Sequence, residues 1–180
     1  MDTKHTMVPF GLLGLALALA ACDAPMLKTS VRTQGAQVVA DDAIEAGRYL
    51  VAVGGCNDCH TPGYVQGGGK TPESDRLKGS VTGWQGPWGT TYAHNLRLTT
   101  ASMTEDEWVE MLSTRDALPI MPWPSVRALH EADKRAIYRY VRSLPGDAGA
   151  PAPSALPPGQ MPTTPYEDLN LKMPGAPPPT

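Results

Sequence analysis

The chain has 180 residues and a formal net charge of −3 at pH 7, which is enough length for one domain or at most two small ones. The small negative charge excludes a bulk electrostatic attraction to nucleic acid or to an anionic membrane surface. Glycine and proline contribute 18 and 19 residues, whereas aromatic residues make up only 6% of the chain, so a large sheet protein with a broad aromatic core is not expected.

Residues 1–21 are predicted to be a signal peptide. An apolar run over residues 7–21 is shorter than the about 20 residues that span a bilayer, and it is typical of a signal-peptide core. The run ends in Leu19-Ala20-Ala21-Cys22, which resembles the lipobox of bacterial lipoproteins. That resemblance implies cleavage before Cys22 and lipid attachment to it, and Asp23 favours the periplasmic side of the inner membrane. An ordinary secretory signal with a chance cysteine is the alternative.

Two segments outside the main domain are simple in composition. Residues 22–40 have no periodicity and are predicted to be a flexible spacer behind the lipid anchor. At the other end, eleven of the 36 residues from 145 to 180 are proline, which excludes a helix or a central strand. We therefore predict a Pro-rich tail over 147–180. It either is disordered or wraps the domain, anchored by Tyr166, Leu169 and Leu171.

Residues 41–146 form the predicted domain, and hydrophobic spacing indicates three helices in it. The first covers 42–53, with Ile44, Gly47, Leu50 and Val51 on one face. The second covers 105–112, where Thr104 and Glu107 form a capping box. The third covers 131–144, with Lys134 and three arginines mostly on its outer side. The acidic second helix and the basic third helix predict either two solvated faces or a surface dipole that orients docking.

Residues 61–100 are Gly-rich, and no run among them alternates convincingly as a strand. A loop of that length argues against a small fold that supplies its own core. Directly after the first predicted helix stands Cys56-Asn57-Asp58-Cys59-His60, the attachment motif of c-type haem. Two thiols one turn apart can bond to the two vinyl groups of one porphyrin, and His60 can bind the iron. The sequence therefore predicts one haem c, which also supplies the missing core.

The three cysteines are then all assigned, one to lipid and two to haem. Two alternatives remain for the Cys-x-x-Cys pair. A redox disulfide needs a βαβ context that is absent here. A zinc site needs His94 and His130 to converge on Cys56 and Cys59.

Five residues are candidates for the sixth iron ligand, and Met121 is the predicted one. It lies between Pro119 and Pro122, whose fixed backbone can hold a flexible thioether against a metal. A neutral imidazole also binds haem iron well, which makes His94 the main rival. The remaining candidates are expected to pack in the core, lie in a loop or be exposed: Met111, Met103 and His130.

Taken together, these motifs resemble a monohaem class I cytochrome c of the bacterial periplasmic type. The match runs from the first helix with Gly47, through the Cys-x-x-Cys-His motif and a Pro-flanked Met121, to the final helix. The resemblance implies an all-α cytochrome c fold, with about three main helices around one covalent haem and long Gly-rich loops. Gly47 resembles the small residue at which the first and last helices cross, opposite Ile137 and Tyr140.

The resemblance also implies a function, namely an electron carrier and not an enzyme. Its partners are expected to be redox proteins such as a dehydrogenase, an oxidase or another cytochrome, and relatives include haem subunits of membrane-associated dehydrogenases. Two alternatives belong to other classes: a haem enzyme or gas sensor with a labile sixth ligand, and a zinc-binding module. Five residues are candidates for contacts with the haem propionates: Trp84, Trp88, Tyr92, Asn95 and Arg97.

Overall fold

The computed structural model describes residues 1, 40 and 42–171. Apart from residues 1 and 40, the predicted signal peptide, Cys22 and the spacer lie outside this set, as does the tail beyond residue 171. No helix in the described part of the chain is long and apolar enough to cross a membrane. In chain order the elements are α1 (Ala43–Val53), α2 (Cys56–His60), a 3₁₀ turn (Glu73–Asp75), β1 (Gly83–Gly86), β2 (Gly89–Tyr92), α3 (Leu96–Ala101), α4 (Glu105–Thr114), α5 (Trp123–Arg127), α6 (Glu131–Ser143) and β3 (Tyr166–Asp168).

The framework of the domain is the contact between α1 and α6, whose bounds match the first and third predicted helices to within one residue. α1 begins after Asp42, whose carboxylate accepts a hydrogen bond from the Ile44 backbone N–H at 2.7 Å. The two helices cross at Gly47, where an added Cβ would overlap the carbonyl oxygen of Ala136 and lie 2.7 Å from Tyr140 Cβ. Ile44, one turn before the crossing, is 37% exposed and does not share the buried face as the sequence predicts.

α4 packs against α6 and contains the second predicted helix. Thr104 and Glu107 form the predicted capping box. The buried indole N–H of Trp108 donates to the backbone carbonyl of Lys134 at 3.0 Å. The prediction that Lys134 lies on the outer side of α6 is wrong. Its side chain is drawn inward because the ammonium group donates to Ser113 Oγ at 2.8 Å, and the residue is only 4% exposed.

Two acidic residues of α4 pair with two arginines of α6. Arg135 contacts Glu105 at 3.2 Å and Asp106 at 2.7 Å, and Arg139 contacts Glu105 at 2.9 Å. Hydrogen bonds from Arg139 and then Arg135 hold the pKa of the Glu105 carboxyl below its usual value. These four charges therefore compensate each other across the helix contact, and are not part of two separate solvated faces.

A small three-stranded sheet takes two of its strands from the stretch 61–100, in which the sequence predicts no strand, and the third from the tail. β1 and β2 form an antiparallel hairpin that pairs Gly83 with Tyr92, and β3 adds to β1 in parallel. Strands of three and four residues are too short to show an alternating pattern, and three of the four ends of the hairpin strands are glycines. The all-α description omits this sheet, and the cytochrome c fold stays a prediction.

The described part of the Pro-rich tail, up to residue 171, packs along the domain. The Asn95 side-chain amide donates to the carbonyls of Ala148 and Ala150 at 2.7 and 2.9 Å. Thr90 and Leu156 exchange two backbone hydrogen bonds of 2.9 and 2.8 Å. Backbone pairing of this kind continues at β3 and does not need large side chains. The predicted anchors accordingly remain exposed: Tyr166, Leu169 and Leu171.

Candidate functional site

A cavity of about 520 Å³ opens between α2, the hairpin, α4 and the segment that precedes α5. Its volume lies within the range of about 300–1,000 Å³ that is typical of small-molecule and cofactor sites. Much of its wall is apolar and includes Leu96, Leu112, Val126, Leu129 and Ile137. The cavity also brings together the four residues that the sequence predicts to hold the cofactor: Cys56, Cys59, His60 and Met121.

The two cysteines reach the cavity because of a tight connection between α1 and α2. α1 ends at Val53 with Gly54 as its C-cap, and Gly55 has a φ of 65°, a left-handed conformation that favours glycine. α2 begins at the next residue, so Cys56 and Cys59 lie three positions apart on one helical face. Both are free thiols that line the same cavity. This arrangement presents two sulfur atoms to one ligand.

His60, the last residue of α2, is held in one orientation. Its Nδ1 lies 2.7 Å from the backbone carbonyl oxygen of His94. Because a carbonyl oxygen only accepts, Nδ1 carries the proton and Nε2 keeps its lone pair. Burial lowers the pKa of His60, which favours the neutral imidazole. The residue is 7% exposed, and no described residue hydrogen-bonds to Nε2. The ring is therefore set up as a neutral nitrogen ligand.

The residues around His60 are themselves fixed by hydrogen bonds. Asn57 accepts a hydrogen bond from the Thr61 hydroxyl at 2.8 Å, and Thr61 Oγ1 in turn accepts from the backbone N–H of Leu77 at 2.9 Å. The backbone N–H of Gly79 donates to the His60 carbonyl at 2.8 Å. Asn57 and Thr61 are almost completely buried. This network ties the end of α2 to the loop that follows and limits movement of the imidazole.

The electrostatics of the two thiols argue against a reactive redox pair. Burial raises the pKa of the Cys56 thiol to about 11, with a smaller contribution from Asp58. Burial also raises the pKa of Cys59. Reactive Cys-x-x-Cys pairs depend on the opposite shift, which produces a thiolate near neutral pH. Cys56 and Cys59 are thus neutral thiols facing an apolar space.

Met121 lines the cavity from the segment between α4 and α5, and this segment is tied down on both sides of it. Before Met121, the Pro119 carbonyl accepts a hydrogen bond from the Thr91 hydroxyl at 2.6 Å. After it, the backbone N–H of Trp123 donates to the Met121 carbonyl at 2.8 Å. Pro122 stands at the start of α5 and Pro124 within its first turn. The proline-based prediction of a constrained backbone at Met121 agrees with these contacts.

The other candidates for the sixth ligand separate into two groups. Met111 and His94 also line the cavity. Met103 does not, and packs against the core while its carbonyl accepts a hydrogen bond from the Tyr138 hydroxyl at 3.0 Å. His130 precedes α6 in an exposed position away from the cavity. Only Met111 and His94 therefore remain as rivals of Met121.

The zinc alternative requires His94 and His130 to join the cysteines. Within the described residues, no three His, Cys, Asp or Glu side chains lie close enough together to hold a metal ion. His130 also does not reach the cavity that contains Cys56 and Cys59. The donor geometry that a four-ligand zinc site needs is not present in this part of the chain.

The five residues singled out for propionate contacts have different surroundings. The side chains of Asn95 and Arg97 donate hydrogen bonds to backbone carbonyls. The one from Arg97 to the Pro145 carbonyl oxygen is 2.7 Å long. Both residues fix the tail, and Arg97 also donates to the Arg76 carbonyl at 2.7 Å in the loop before the hairpin. Trp84 and Tyr92 line the cavity, whereas Trp88 does not.

The cavity wall also contains Arg115 and Trp123, which the sequence analysis does not single out. The position of Trp123 within the proline-flanked segment of Met121 is a signal that could have identified it.

Comparison with known proteins gives one informative similarity. The chain is 35% identical over 120 residues to a subunit of nicotinate dehydrogenase from Pseudomonas putida, a match that covers 62% of this chain. It spans only 10% of the length of that protein. No protein-family model matches the chain. No solved structure matches it either.

Proposed function

We propose that this protein carries single electrons by means of one haem c, bound covalently through Cys56 and Cys59, with His60 and Met121 as axial ligands. The observation that carries the proposal is the cavity into which these four side chains converge. When bound, haem supplies a one-electron couple between ferric and ferrous iron. The chain supplies the attachment, the ligands and an apolar surrounding.

The chemistry of the donors fits this cofactor. The two sulfur atoms are paired on one helical turn, and the adjacent imidazole offers Nε2 with its lone pair. Much of the cavity wall is apolar, as a porphyrin requires. Asp58 is the only carboxylate among the described residues that line it, so little anionic repulsion opposes a cofactor that carries two carboxylates of its own. These features support haem over zinc or a redox disulfide.

The hydrogen bond at His60 also favours Met121 over His94 as the sixth ligand. The His94 carbonyl lies at Nδ1, behind the imidazole and away from Nε2. Because the His94 backbone is held at Nδ1, Met121, which lines the cavity from another segment, is the residue that would hold the iron together with His60. Met111 belongs to α4 and packs against the hydrophobic core. Met121 lies on a separate segment, and its side chain is not among those packed against this core.

An electron carrier, and not a haem enzyme or gas sensor, follows from two protein ligands on the iron. With both axial positions filled, no substrate or gas has a free coordination site. His60 and Met121 would hold the cofactor, which would supply the one-electron couple. The enzyme or sensor alternative requires Met121 to be absent from the iron or to leave it easily.

The similarity to a dehydrogenase subunit supports a redox role and suggests the class of partner. We propose that the domain exchanges electrons with a dehydrogenase, and that an oxidase or another cytochrome is the further partner. Because the match covers a tenth of that relative, the substrate of such a dehydrogenase does not carry over. We further propose that lipid on Cys22 holds the domain at the periplasmic side of the inner membrane.

The experiment is a visible spectrum of the protein produced in a strain with cytochrome c maturation. A low-spin spectrum with a methionine–iron charge-transfer band, and haem that stays with the polypeptide on a denaturing gel, support the carrier. A high-spin ferric spectrum supports the enzyme or sensor. A colourless, folded protein rejects haem binding altogether.

A further inference from the structure

Lys134 is a buried cation without a counter-ion among residues 42–171. The residue is only 4% exposed, and its ammonium group donates to a hydroxyl and to a backbone carbonyl but to no described carboxylate. Taking a charge out of water is costly, and an apolar side chain of similar size is often at least as stabilising at a buried position. Packing alone therefore does not account for a lysine here, and its two hydrogen bonds indicate what the ammonium group does.

These hydrogen bonds join the two ends of the segment that carries Met121. The ammonium group of Lys134 donates to Ser113 Oγ at 2.8 Å, one residue before the end of α4. It also donates to the Arg127 carbonyl at 3.1 Å, at the end of α5. The Ser113 hydroxyl gives its own proton to the Val109 carbonyl at 2.7 Å, which leaves its oxygen free to accept. One ammonium group thus holds together the points at which the segment leaves α4 and ends in α5.

Arg127 closes the same base from within the segment. Its guanidinium donates to the Arg115 carbonyl at 2.9 Å and contacts the Asp116 carboxylate at 3.5 Å. The segment is therefore a loop whose two ends are held together, and holding its ends reduces the number of conformations that the loop can adopt. The hydrogen bonds at Pro119 and Met121 act in the middle of this loop, whereas those of Lys134 act at its base.

We propose that Lys134 is a positioning residue for the iron ligand Met121, because its ammonium group fixes the base of the loop that carries the thioether. The inference rests on the proposed function, since it needs Met121 on the haem iron. Lys134 does not line the cavity and so touches neither the cofactor nor Met121. Without the ammonium group the ends of the loop can separate, and Met121 then competes less well with an outside ligand.

The first test removes the ammonium group and keeps the length of the side chain. Lys134→Met retains the backbone carbonyl that accepts from the Trp108 indole. In the ferric holoprotein we expect a weaker methionine–iron charge-transfer band and a roughly tenfold higher affinity for added imidazole, which corresponds to about 1.4 kcal/mol. Tyr140→Phe is the control for a general loss of stability. It removes a 3.0 Å hydrogen bond to Glu73 from a buried position on the same helix, outside the cavity wall, and should leave both readouts unchanged.

A second variant keeps the inference testable if Lys134→Met matures poorly. Ser113 is exposed, so Ser113→Ala should fold, remove one of the two partners of Lys134 and raise the imidazole affinity about threefold. Ser143→Ala is the matched control, because the Ser143 hydroxyl also donates to a carbonyl of its own helix, at 2.8 Å, but lies at the far end of α6. Combining Ser113→Ala with Lys134→Met should add nothing to Lys134→Met alone, since both remove the same contact.

Amide hydrogen exchange provides a readout that does not depend on the iron. Residues 115–122 should exchange faster in Lys134→Met and in Ser113→Ala than in the wild-type protein, and no faster in the two controls. An unchanged imidazole affinity in Ser113→Ala and Lys134→Met, or an equal rise in the controls, rejects the inference. The proposed function fails separately, if the wild-type protein holds no covalent low-spin haem with a methionine–iron band.

Discussion

The two sides of the cavity are built in different ways. On one side, His60 is buried at the end of α2 and fixed through Nδ1 and its own carbonyl. On the other side, Met121 is half-buried in a surface segment whose neighbours Leu118 and Ile120 are 48% and 37% exposed. Two hydrogen bonds, at Pro119 and at Met121 itself, tether that segment. We therefore expect the position of His60 to resist substitutions nearby, and the segment of Met121 to be the side of the cavity that substitutions can loosen.

The largest effect is expected from the cysteines on the histidine side. Replacing Cys56 and Cys59 together with alanine would remove both proposed covalent bonds to haem and, with them, the group that we propose fills the cavity. Haem staining of denaturing gels should show nearly complete loss of holoprotein, and little folded protein should accumulate. Recovery of the double variant as a stable, colourless, folded domain would falsify the claim that haem completes the core.

A smaller but clear effect is expected at the methionine ligand. Met121→Ala should leave haem attached, turn the ferric iron high-spin or admit an outside ligand, and lower the reduction potential. Met103→Leu and Met111→Leu serve as controls and should keep a nearly unchanged spectrum, because both residues pack against the core. If Met121→Ala retains a native low-spin spectrum while His94→Ala loses it, the ligands are two histidines and the assignment of Met121 is wrong.

The tail supports the methionine side indirectly, through the hairpin. An alanine Cβ at Gly89 would overlap the Leu156 carbonyl oxygen, at a φ of 99° that already disfavours it. We expect Gly89→Ala to destabilise the holoprotein by about 2–4 kcal/mol in denaturant titrations. Loosening of the tail should also lower the potential, because Ala155 lines the cavity and its displacement admits water.

The matched control for this prediction is Gly159→Ala in the same tail. Gly159 has a comparable φ of 84°, but nothing lies within 4 Å of the added Cβ. The change should therefore cost only the backbone strain of about 1–2 kcal/mol and leave the potential unaltered. Equal losses of stability in the two variants would mean that the contact between β2 and the tail contributes nothing beyond conformational strain.

A single tether can be removed to weaken the methionine side further. Thr91→Val keeps the side-chain shape but deletes the 2.6 Å hydrogen bond to the Pro119 carbonyl. Without this hydrogen bond, the state in which Met121 binds the iron should be less stable by about 1 kcal/mol. Because added imidazole competes with Met121, its affinity for the ferric protein should rise roughly fivefold. Thr114→Val, which deletes a 2.9 Å hydrogen bond from an exposed side chain to the Glu110 carbonyl on α4, should leave imidazole binding unchanged. Similar titration curves for both variants would contradict the role of the tether.

Sequence patterns predict the helical parts of this domain well, because each helix carries its own local signals. Asp42 at the start of α1, the pair Thr104 and Glu107, and the apolar spacing of α6 mark the three main helices to within one or two residues. The convergence of Cys56, Cys59, His60 and Met121 on one cavity also agrees with the motif and its proline-flanked partner. The helix signals and the motif itself depend on residues that are close together in the chain, whereas Met121 lies far from the motif in sequence.

The features that the sequence does not predict depend on distant contacts. The hairpin strands are short, and β1 is paired by a tail segment some 80 positions away. Lys134 looks exposed from its helical position and is buried because Ser113 on α4 lies opposite. The two roles of Asn95 and Arg97, which hold the tail by its carbonyls, likewise cannot be derived from local pattern. Arg115 and Trp123 become notable only when the cavity is seen.

The smallest effect on the cavity is expected from the anchor, because Cys22 lies in sequence outside the domain that we propose to bind haem. The lipobox resemblance predicts three acyl chains on Cys22, and more than one chain holds a protein firmly at a membrane. Wild-type protein should therefore fractionate with membranes and leave them only with detergent. Cys22→Ser behind an ordinary cleavable signal should be a soluble periplasmic protein with an unchanged spectrum and potential.

The same variant separates the role of the anchor from that of the haem site. Electron transfer to a membrane-bound partner should slow in Cys22→Ser, because tethering replaces free diffusion by a high effective concentration. Added back at high concentration, the soluble form should approach the wild-type rate, since its ligands and potential are intact. Mass spectrometry of the wild-type N-terminal peptide is the direct check. Finding the wild-type protein soluble, with no lipid mass on Cys22, would contradict the anchor. The proposed haem site would be unaffected, and the protein would then be proposed as a freely diffusing carrier.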